Sequence, residues 1–236
     1  MVADPRTRTP QSRRDRPAKP ALSREGIVDH ALAILQKEGL GKVTMRRIAS
    51  ALDTGPASLY VYVRDTEDLH AQILDALIGR MPRPSGRGPW RERLHELLGS
   101  YGELLSLYPE IARMALAAQP LGVHYFTLVE SVLDLLAEGG IPDETAAWGI
   151  DMLFASVTAS AVEHAANADG DGDAERLVMM AAALAVASES THPRTLRLGN
   201  QMLAGTGSER FRWGLDVLIN GLLHTPRPAS APPRDD

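Results

Sequence analysis

Cysteine is absent from this 236-residue chain, and aromatic residues make up only 5% of it. Without cysteine the protein has no disulfides, no thiolate metal ligands and no cysteine nucleophile. The hydrophobic fraction of 44% is still enough for a sizeable core, which must be mainly aliphatic. No apolar run approaches the roughly 20 residues that span a bilayer, and the start of the chain lacks a signal-peptide pattern. We therefore expect a cytoplasmic protein with no membrane partner.

Positive charge is scarce in the chain as a whole, since the formal net charge is −5. It is concentrated near the N-terminus, because residues 1–50 carry eleven Lys or Arg against five acidic residues, a net +6 that leaves −11 for the other 186 residues. Such asymmetry is typical of a protein that places one end against nucleic-acid phosphates. A basic disordered tail without that partner would explain part of the same pattern.

No segment shows the alternating pattern of a half-buried β-strand, whereas helical periodicity is nearly continuous. Residues 1–20 and 225–236 are rich in proline and arginine, and both are expected to be disordered. Between them, Pro82–Pro89 is the strongest helix breaker and predicts a domain boundary. The class is therefore all-α, with a small helical domain at residues 21–81 and a larger one at residues 90–224.

Capping residues and periodicity predict four helices in the small domain. They are expected to begin after Ser23, after Thr44, at Pro56 and after Asp65 or Thr66. They should end at Gly39 or Gly41, at Leu52, near Tyr62 and near Met81. The second and third helices are short and joined by the turn at residues 53–55. This arrangement is a helix-turn-helix, whose second helix lies in the DNA major groove.

The segment TMRRIASALDTGPASLYVYVRDTEDL, residues 44–69, resembles the DNA-binding signature of the TetR family. In that family a Leu-Tyr-x-His/Tyr-Phe/Val recognition helix precedes a helix with an acidic cap, and the matching residues here are Leu59, Tyr60, Tyr62 and Val63. The resemblance covers about residues 23–80. It implies a three-helix DNA-binding domain with a helix-turn-helix, followed by a helical domain for ligand binding and dimerisation.

The same resemblance implies seven DNA-contacting residues: Thr44, Arg46, Ala57, Ser58, Tyr60, Tyr62 and Thr66. A threonine at a helix N-terminus can bring its hydroxyl and a backbone N–H to a phosphate. The guanidinium of Arg46 suits guanine O6 and N7. Ala57 and Ser58 are expected near base edges, and the two tyrosines near phosphate, sugar or thymine methyls. Core packing is the alternative role for the tyrosines, and the direction of Arg47 does not follow from the sequence.

Two positions depart from the family pattern. Asp53 stands where glycine is usual in the turn, and aspartate tolerates the left-handed backbone that such a turn needs. Thr66 stands where a phosphate-binding lysine is usual, which removes one charged contact. Arg64, or the basic arm with Arg13, Arg14 and Arg16, can compensate for that lysine.

In the larger domain, helices are expected to begin near Trp90, Pro109, Gly122, Asp143 and Glu209. The helices at residues 143–166 and 209–224 are each apolar on two sides, and a helix apolar nearly all round must be buried nearly all round. On the first of them the two stripes are Trp148, Met152, Ala155, Ala159 and Val162, and Ala147, Ile150, Phe154, Val157 and Ala161. A central helix of a monomer would satisfy one such pattern, but two of them favour a homodimer.

Residues 90–224 resemble, more weakly, the ligand-binding domain of the tetracycline repressors. The ligand-binding residues implied are Leu97, Tyr101, Ala115, Ala118, Val132, Ala147 and Ile150. At three of them, Leu97, Ala115 and Val132, apolar side chains replace those that hold drug and magnesium in the tetracycline repressors. We therefore expect a mostly apolar effector of unknown identity, with Tyr101 as a polar contact and with neither metal nor cofactor.

The resemblance as a whole implies a repressor that binds a palindromic operator in double-stranded DNA as a homodimer and is released by this effector. A ligand-independent or corepressor-dependent dimeric regulator is the alternative.

The run Asp169–Asp173 is similar to a calcium loop, but Ala174 and Met180 occupy two of its required positions, so a surface loop is favoured. The histidines lack metal-site spacing and the serines lack a nucleophile-elbow context, so no enzyme is predicted.

Overall fold

The structure, a computed structural model, describes residues 21–84, 86–117, 121–167, 172–225 and 227–228, and its regular elements there are all helical. The N-terminal helices are α1 (Arg24–Glu38), α2 (Met45–Ala51), α3 (Pro56–Leu59) and α4 (Thr66–Gly79), with a 3₁₀ helix at Leu40–Lys42. The C-terminal helices are α5 (Trp90–Leu107), α6 (Pro109–Ala117), α7 (Val123–Glu138), α8 (Asp143–Asn167), α9 (Gly172–Ala185), α10 (Pro193–Leu203) and α11 (Gly207–His224). The all-α class is confirmed.

Three helix starts in the N-terminal domain are fixed by the side chains that the sequence indicates. The Ser23 hydroxyl accepts a hydrogen bond from the Gly26 backbone N–H at 3.1 Å, and the Thr44 hydroxyl accepts one from the Arg47 backbone N–H at 3.2 Å. Asp65, and not Thr66, caps α4, with its carboxylate accepting from the Asp68 backbone N–H at 2.8 Å. Each cap satisfies a backbone donor that has no partner within its own helix.

The predicted end of the first helix at Gly39 is confirmed, whereas the predicted ends of the third and fourth helices were wrong by two or three residues. Gly39, with φ of 85°, ends α1, whereas Gly41 lies inside the 3₁₀ helix. α4 ends at Gly79 instead of near Met81. α3 ends at Leu59, because the Leu59 carbonyl accepts from the backbone N–H groups of both Tyr62 and Val63 in a tight turn. The β-branched valines of this segment also disfavour a longer helix.

The hydrophobic core is continuous through both groups of helices. In the N-terminal domain α1, α2 and α4 close over fully buried residues such as Ile27, Ile48 and Leu69. In the C-terminal domain α8 is central and packs against α5, α6, α7 and α11. The two domains meet where α4 packs on α5, α6 and α7. Residues 80–84 and 86–89, which lie between the domains, form no helix, as the proline-rich segment Pro82–Pro89 predicts. The domain boundary at this segment stays a prediction.

Helices α9 and α10 were not predicted from the sequence. Many of their apolar side chains are exposed, among them Val178, Met179 and Met202. In the described part of the chain one helical stretch, Asp143–His164, is long and apolar enough to cross a membrane. The expectation that no stretch approaches that length was therefore wrong. Its packing against α5, α6, α7 and α11 is also what a core helix of a globular domain shows.

Candidate DNA-binding surface and interior aromatic cluster

The turn between α2 and α3 has the backbone that a helix-turn-helix needs. Asp53 has φ of 49°, and it is the only non-glycine residue with positive φ in the described ranges. The Thr54 backbone N–H donates to the Ala49 carbonyl at 2.9 Å, which closes the turn after α2. Aspartate is among the few residues that adopt this conformation at modest cost. The chain therefore keeps the motif without the usual glycine.

α3, the recognition helix, and the turn that follows it divide their residues sharply between core and solvent. Leu59 and Val63 are buried, whereas Tyr60 is 55% exposed and Val61 is 80% exposed. Five other residues with a predicted DNA contact are also exposed: Thr44, Arg46, Ala57, Ser58 and Thr66. Tyr62 is half-buried and packs against the core, so core packing, the alternative to a DNA contact, applies to part of its side chain. Val61 was not among the residues predicted to contact DNA, because a predicted third helix extending to Tyr62 gives no reason to choose this valine.

The two adjacent arginines of α2 differ in their surroundings. The Arg47 guanidinium donates to the Glu38 carboxylate at 2.7 Å, and this hydrogen bond lowers the pKa of Glu38. Arg47 is thereby held against the end of α1. Arg46 is exposed and makes no hydrogen bond or ion pair with the described part of the chain, so its fork of donors is available to DNA.

Arg64 lies between the recognition helix and α4, close to the position where the family's usual lysine is missing. Its backbone N–H donates to the Asp68 carboxylate at 2.8 Å, and its guanidinium lies 3.6 Å from the same carboxylate. The side chain is nevertheless 85% exposed. An exposed ion pair of this kind is weak, so Arg64 can turn towards a phosphate at little cost. The basic arm, residues 1–20, lies outside the described residues.

In the C-terminal domain an aromatic cluster lies among α5, α7 and α8. The ring centroids of Tyr101 and Phe154 are 5.3 Å apart at 81°, and those of Tyr125 and Phe154 are 5.4 Å apart. The Tyr101 hydroxyl forms a hydrogen bond with Thr158, and burial raises the pKa of Tyr101 to about 12. Burial also raises the pKa of Tyr125, with a smaller contribution from Asp151. Both phenols are therefore protonated at pH 7, so each hydroxyl can donate a hydrogen bond.

Five of the predicted ligand-binding residues belong to the hydrophobic core. Leu97, Tyr101 and Val132 are fully buried, while Ala115 and Ile150 are half-buried against it, and their role in ligand binding stays a prediction. Ala147 is exposed on α8 and is not brought into the cluster, and Ala118 lies outside the described residues. Tyr125 was missed, although its residue type stands out in a chain so poor in aromatics. No group of three or more His, Asp or Glu side chains is placed to hold a metal in the described ranges.

A second apolar feature is the outer face of α8 and α11. Trp148 and Trp213 are 56% and 70% exposed, and Met152 and Val217 are exposed beside them. A groove of about 240 Å³ runs between the two helices and is lined by Trp148, Met152, Val217, Leu218 and Leu222. The helices approach closely at Gly149, where a Cβ atom would lie 2.5 Å from a Leu222 methyl. The second apolar stripe of each helix therefore faces solvent in a single chain.

Known protein families match both domains. The family model described as "Bacterial regulatory proteins, tetR family" matches residues 27–73, and "Tetracyclin repressor-like, C-terminal domain" matches residues 81–225. The HTH-type transcriptional repressor DrrR1 of Streptomyces coeruleorubidus is 29% identical over 225 residues, covering 89% of this chain and 80% of that protein. Tetracycline repressor protein class D of Escherichia coli is 25% identical, covering 85% of this chain and 88% of that protein.

Solved structures from Streptomyces coelicolor have the same fold over nearly the whole chain. A transcription regulator is 48% identical with a TM-score of 0.75, covering 90% of this chain and 100% of that one. ActR in complex with actinorhodin is 31% identical with a TM-score of 0.76, covering 89% and 100%. With both domains matched in order and the helix-turn-helix in place, this chain belongs to the TetR family of DNA-binding transcriptional regulators, which are not enzymes.

Proposed function

We propose that the protein is a homodimeric, cytoplasmic repressor whose binding to a palindromic operator is weakened by a small, mostly apolar effector. The observation that carries this proposal is the exposed apolar face of α8 and α11, in a chain whose DNA-binding domain presents a single helix-turn-helix. One such motif reads one half-site, and a two-fold dimer reads two half-sites in inverted orientation.

The face formed by α8 and α11 supports self-association. Two tryptophans more than half exposed on adjacent helices are unusual on a monomer, because large contiguous apolar patches mark interaction sites. Among the described residues that line its groove, Arg227 is the one charged side chain, and its guanidinium stacks over the Trp148 ring at 5.0 Å. A second copy offers an identical apolar surface, and a two-fold axis between α8 and α11 lets each groove receive the side chains of the other copy.

The interior cluster supports the choice of effector. Its aromatic rings and aliphatic neighbours suit a ligand with an apolar, ring-containing body, and the Tyr101 and Tyr125 hydroxyls can bind a few polar groups on it. The similar ActR protein holds actinorhodin in its solved structure. A compound of that general kind is therefore the first probe to use.

The experiment measures operator binding and thermal stability with increasing actinorhodin. A ligand of the folded protein raises its melting temperature, and linkage requires operator DNA to weaken ligand binding by the factor with which the ligand weakens DNA binding. Unchanged operator affinity despite stabilisation would favour the ligand-independent regulator. Tighter operator binding would favour the corepressor-dependent one.

Two bulkier side chains in the cluster test where the effector binds. Tyr101→Trp combined with Ala115→Leu places larger side chains at two of the proposed effector-binding positions, so we expect operator affinity to persist while the response to actinorhodin is lost. Ala117→Leu is the matched control, because Ala117 lies on the same helix as Ala115 but is exposed. A double variant that responds as the wild type does would place the effector elsewhere.

A further inference from the structure

A hydrogen bond joins the two domains where α4 meets the start of α7. The N-cap residue of α7 is Gly122, which has no side chain to accept a hydrogen bond from the first turn. The Asp75 carboxylate, on α4, takes that role and accepts from the Tyr125 backbone N–H at 2.8 Å. A carboxylate at a helix N-terminus is favoured both by this unpaired donor and by the helix dipole. A residue of the N-terminal domain thus caps a helix of the C-terminal domain.

Two glycines allow α4 and α7 to come this close. A Cβ atom on Gly122 would lie 1.9 Å from the Asp75 carboxyl carbon, and a Cβ atom on Gly79 would lie 2.8 Å from the His124 ring. Real Cβ atoms do not come this close to other atoms, so a larger residue at either position would have to displace the Asp75 or the His124 side chain. Asp75 and Gly79 are four positions apart and therefore lie on the same face of α4.

Tyr125 connects this contact to the interior cluster. Its backbone N–H binds Asp75, while its ring centroid lies 5.4 Å from that of Phe154. At the other end, α4 begins directly after the turn that follows the recognition helix, and its 14 residues form a rod of about 21 Å. A groove of about 930 Å³ bordered by α1, α4 and the start of α7 leaves space for α4 to tilt.

We propose that Asp75 is a positioning residue that couples the effector site to the DNA-binding domain through Tyr125. A ligand that shifts the Tyr125 ring also shifts the start of α7, and the carboxylate transmits this shift to α4 and to the recognition helix. The proposal rests on the effector site proposed above. It adds the residue through which the two domains communicate.

The test measures the distance between the domains within one chain. Because the chain has no cysteine, Gln36→Cys on α1 and Ala137→Cys on α7, both at exposed positions, allow a donor and an acceptor dye to be attached. The labelled chain is diluted into excess unlabelled chain so that energy transfer reports only the intramolecular distance. Asp75→Ala and Gly122→Ala disrupt the contact, and Asp75→Asn keeps an oxygen that accepts the Tyr125 N–H. Asp134→Asn, on the exposed face of α7, is the control.

We expect Asp75→Ala and Gly122→Ala to shift or broaden the distance distribution without any ligand. They should also lower the affinity for the operator, compared with the affinity for a random duplex, by at least about fivefold. A change of this size corresponds to the loss of a typical coupling between two sites. Asp75→Asn should remain close to the wild type, as should Asp134→Asn. In the wild type, actinorhodin should change hydrogen exchange at the Tyr125 amide and in the first turn of α4.

Asp75→Ala and Gly122→Ala variants that melt as the wild type does and keep its distance distribution would overturn the proposal. Should Asp75→Ala fail to fold, Gly122→Ala and the exchange at Tyr125 still decide it, and an unshifted distance with unchanged exchange counts against it. The proposed effector fails separately, if actinorhodin leaves wild-type operator affinity unchanged while the ligand-free variants still shift.

Discussion

The surroundings of single residues in α2 distinguish an arginine that is free to contact DNA from one that is held by the protein. Sequence reasoning treats Arg46 and Arg47 as neighbours of equal chemistry. The structure ties Arg47 to Glu38 across 2.7 Å and leaves Arg46 exposed beside the recognition helix. A guanidinium without an intramolecular partner keeps all five donors for guanine or phosphate. The functional difference that we expect between the two residues therefore rests on a contact between residues nine positions apart.

Arg46→Ala is expected to weaken binding to the selected operator by about 1–3 kcal/mol and to relax preference at one base position. Arg47→Ala is the matched control, which should cost stability at the level of an exposed ion pair, about 1 kcal/mol or less, and leave base preference unchanged. Binding to operator and random duplexes measured at one salt concentration checks both. An equal loss on the two duplexes would make Arg46 a phosphate contact instead.

Helices α8 and α11 show a limit of prediction from periodicity, because each of them presents two apolar stripes. The inner stripe of α8, with Phe154, Val157 and Ala161, is buried within the chain, and the outer stripe with Trp148 and Met152 is exposed. Periodicity predicts both stripes but cannot say which one meets the chain's own core. Only the packed structure shows that the outer stripe is the exposed one, and the homodimer through it stays a prediction.

A charge on that outer surface should therefore prevent dimer formation. Ala159→Glu places a carboxylate on the exposed face of α8, and Leu218→Glu places one in the groove beside α11. Desolvating an unpaired carboxylate in an interface is costly, so we expect monomers or insoluble protein by light scattering. Ala137→Glu, exposed on α7, is the control and should remain dimeric. An unaltered dimer in both interface variants would locate the interface elsewhere.

The packing of α11 on α5 also depends on charge. The Asp216 carboxylate accepts hydrogen bonds from His95 Nε2 at 2.9 Å and from Arg91 at 3.1 Å. The hydrogen bond from His95, with a further one from Arg91, lowers the pKa of Asp216 below its ordinary 3.8. A depressed carboxyl pKa stabilises the folded state above about pH 3.8. That contribution disappears as the pH falls through the pKa of the folded state.

Asp216→Asn should accordingly lower the free energy of unfolding at pH 7 by no more than about 1 kcal/mol, because the side chain is over one-third exposed and solvent screens it. The difference from the wild type should shrink as the pH falls below about 3.8. Urea unfolding at pH 7 and at successively lower pH measures it, with Asp134→Asn as the control. A difference that stays constant across this range would contradict the role of the Asp216 charge.

For the molecule as a whole, the features encoded in short segments were predictable and the contacts between distant segments were not. Ser23, Thr44 and Asp65 could be identified as caps because a cap acts within four residues. The resemblance of residues 44–69 located the helix-turn-helix for the same reason. The contact between Asp75 and Tyr125 and the ring contact between Tyr125 and Phe154 join residues 50 and 29 positions apart, and no local pattern indicates them.

The central claim is that two copies of this chain read one two-fold symmetric DNA sequence. The most direct measurement is to select duplexes from a random library with the purified full chain, sequence them, and determine the number of chains bound per duplex. We expect inverted half-sites whose centres are one helical turn, about 10 base pairs, or a multiple of it apart, with two chains per duplex. A single unrepeated half-site bound by one chain, or no enriched sequence, would contradict it.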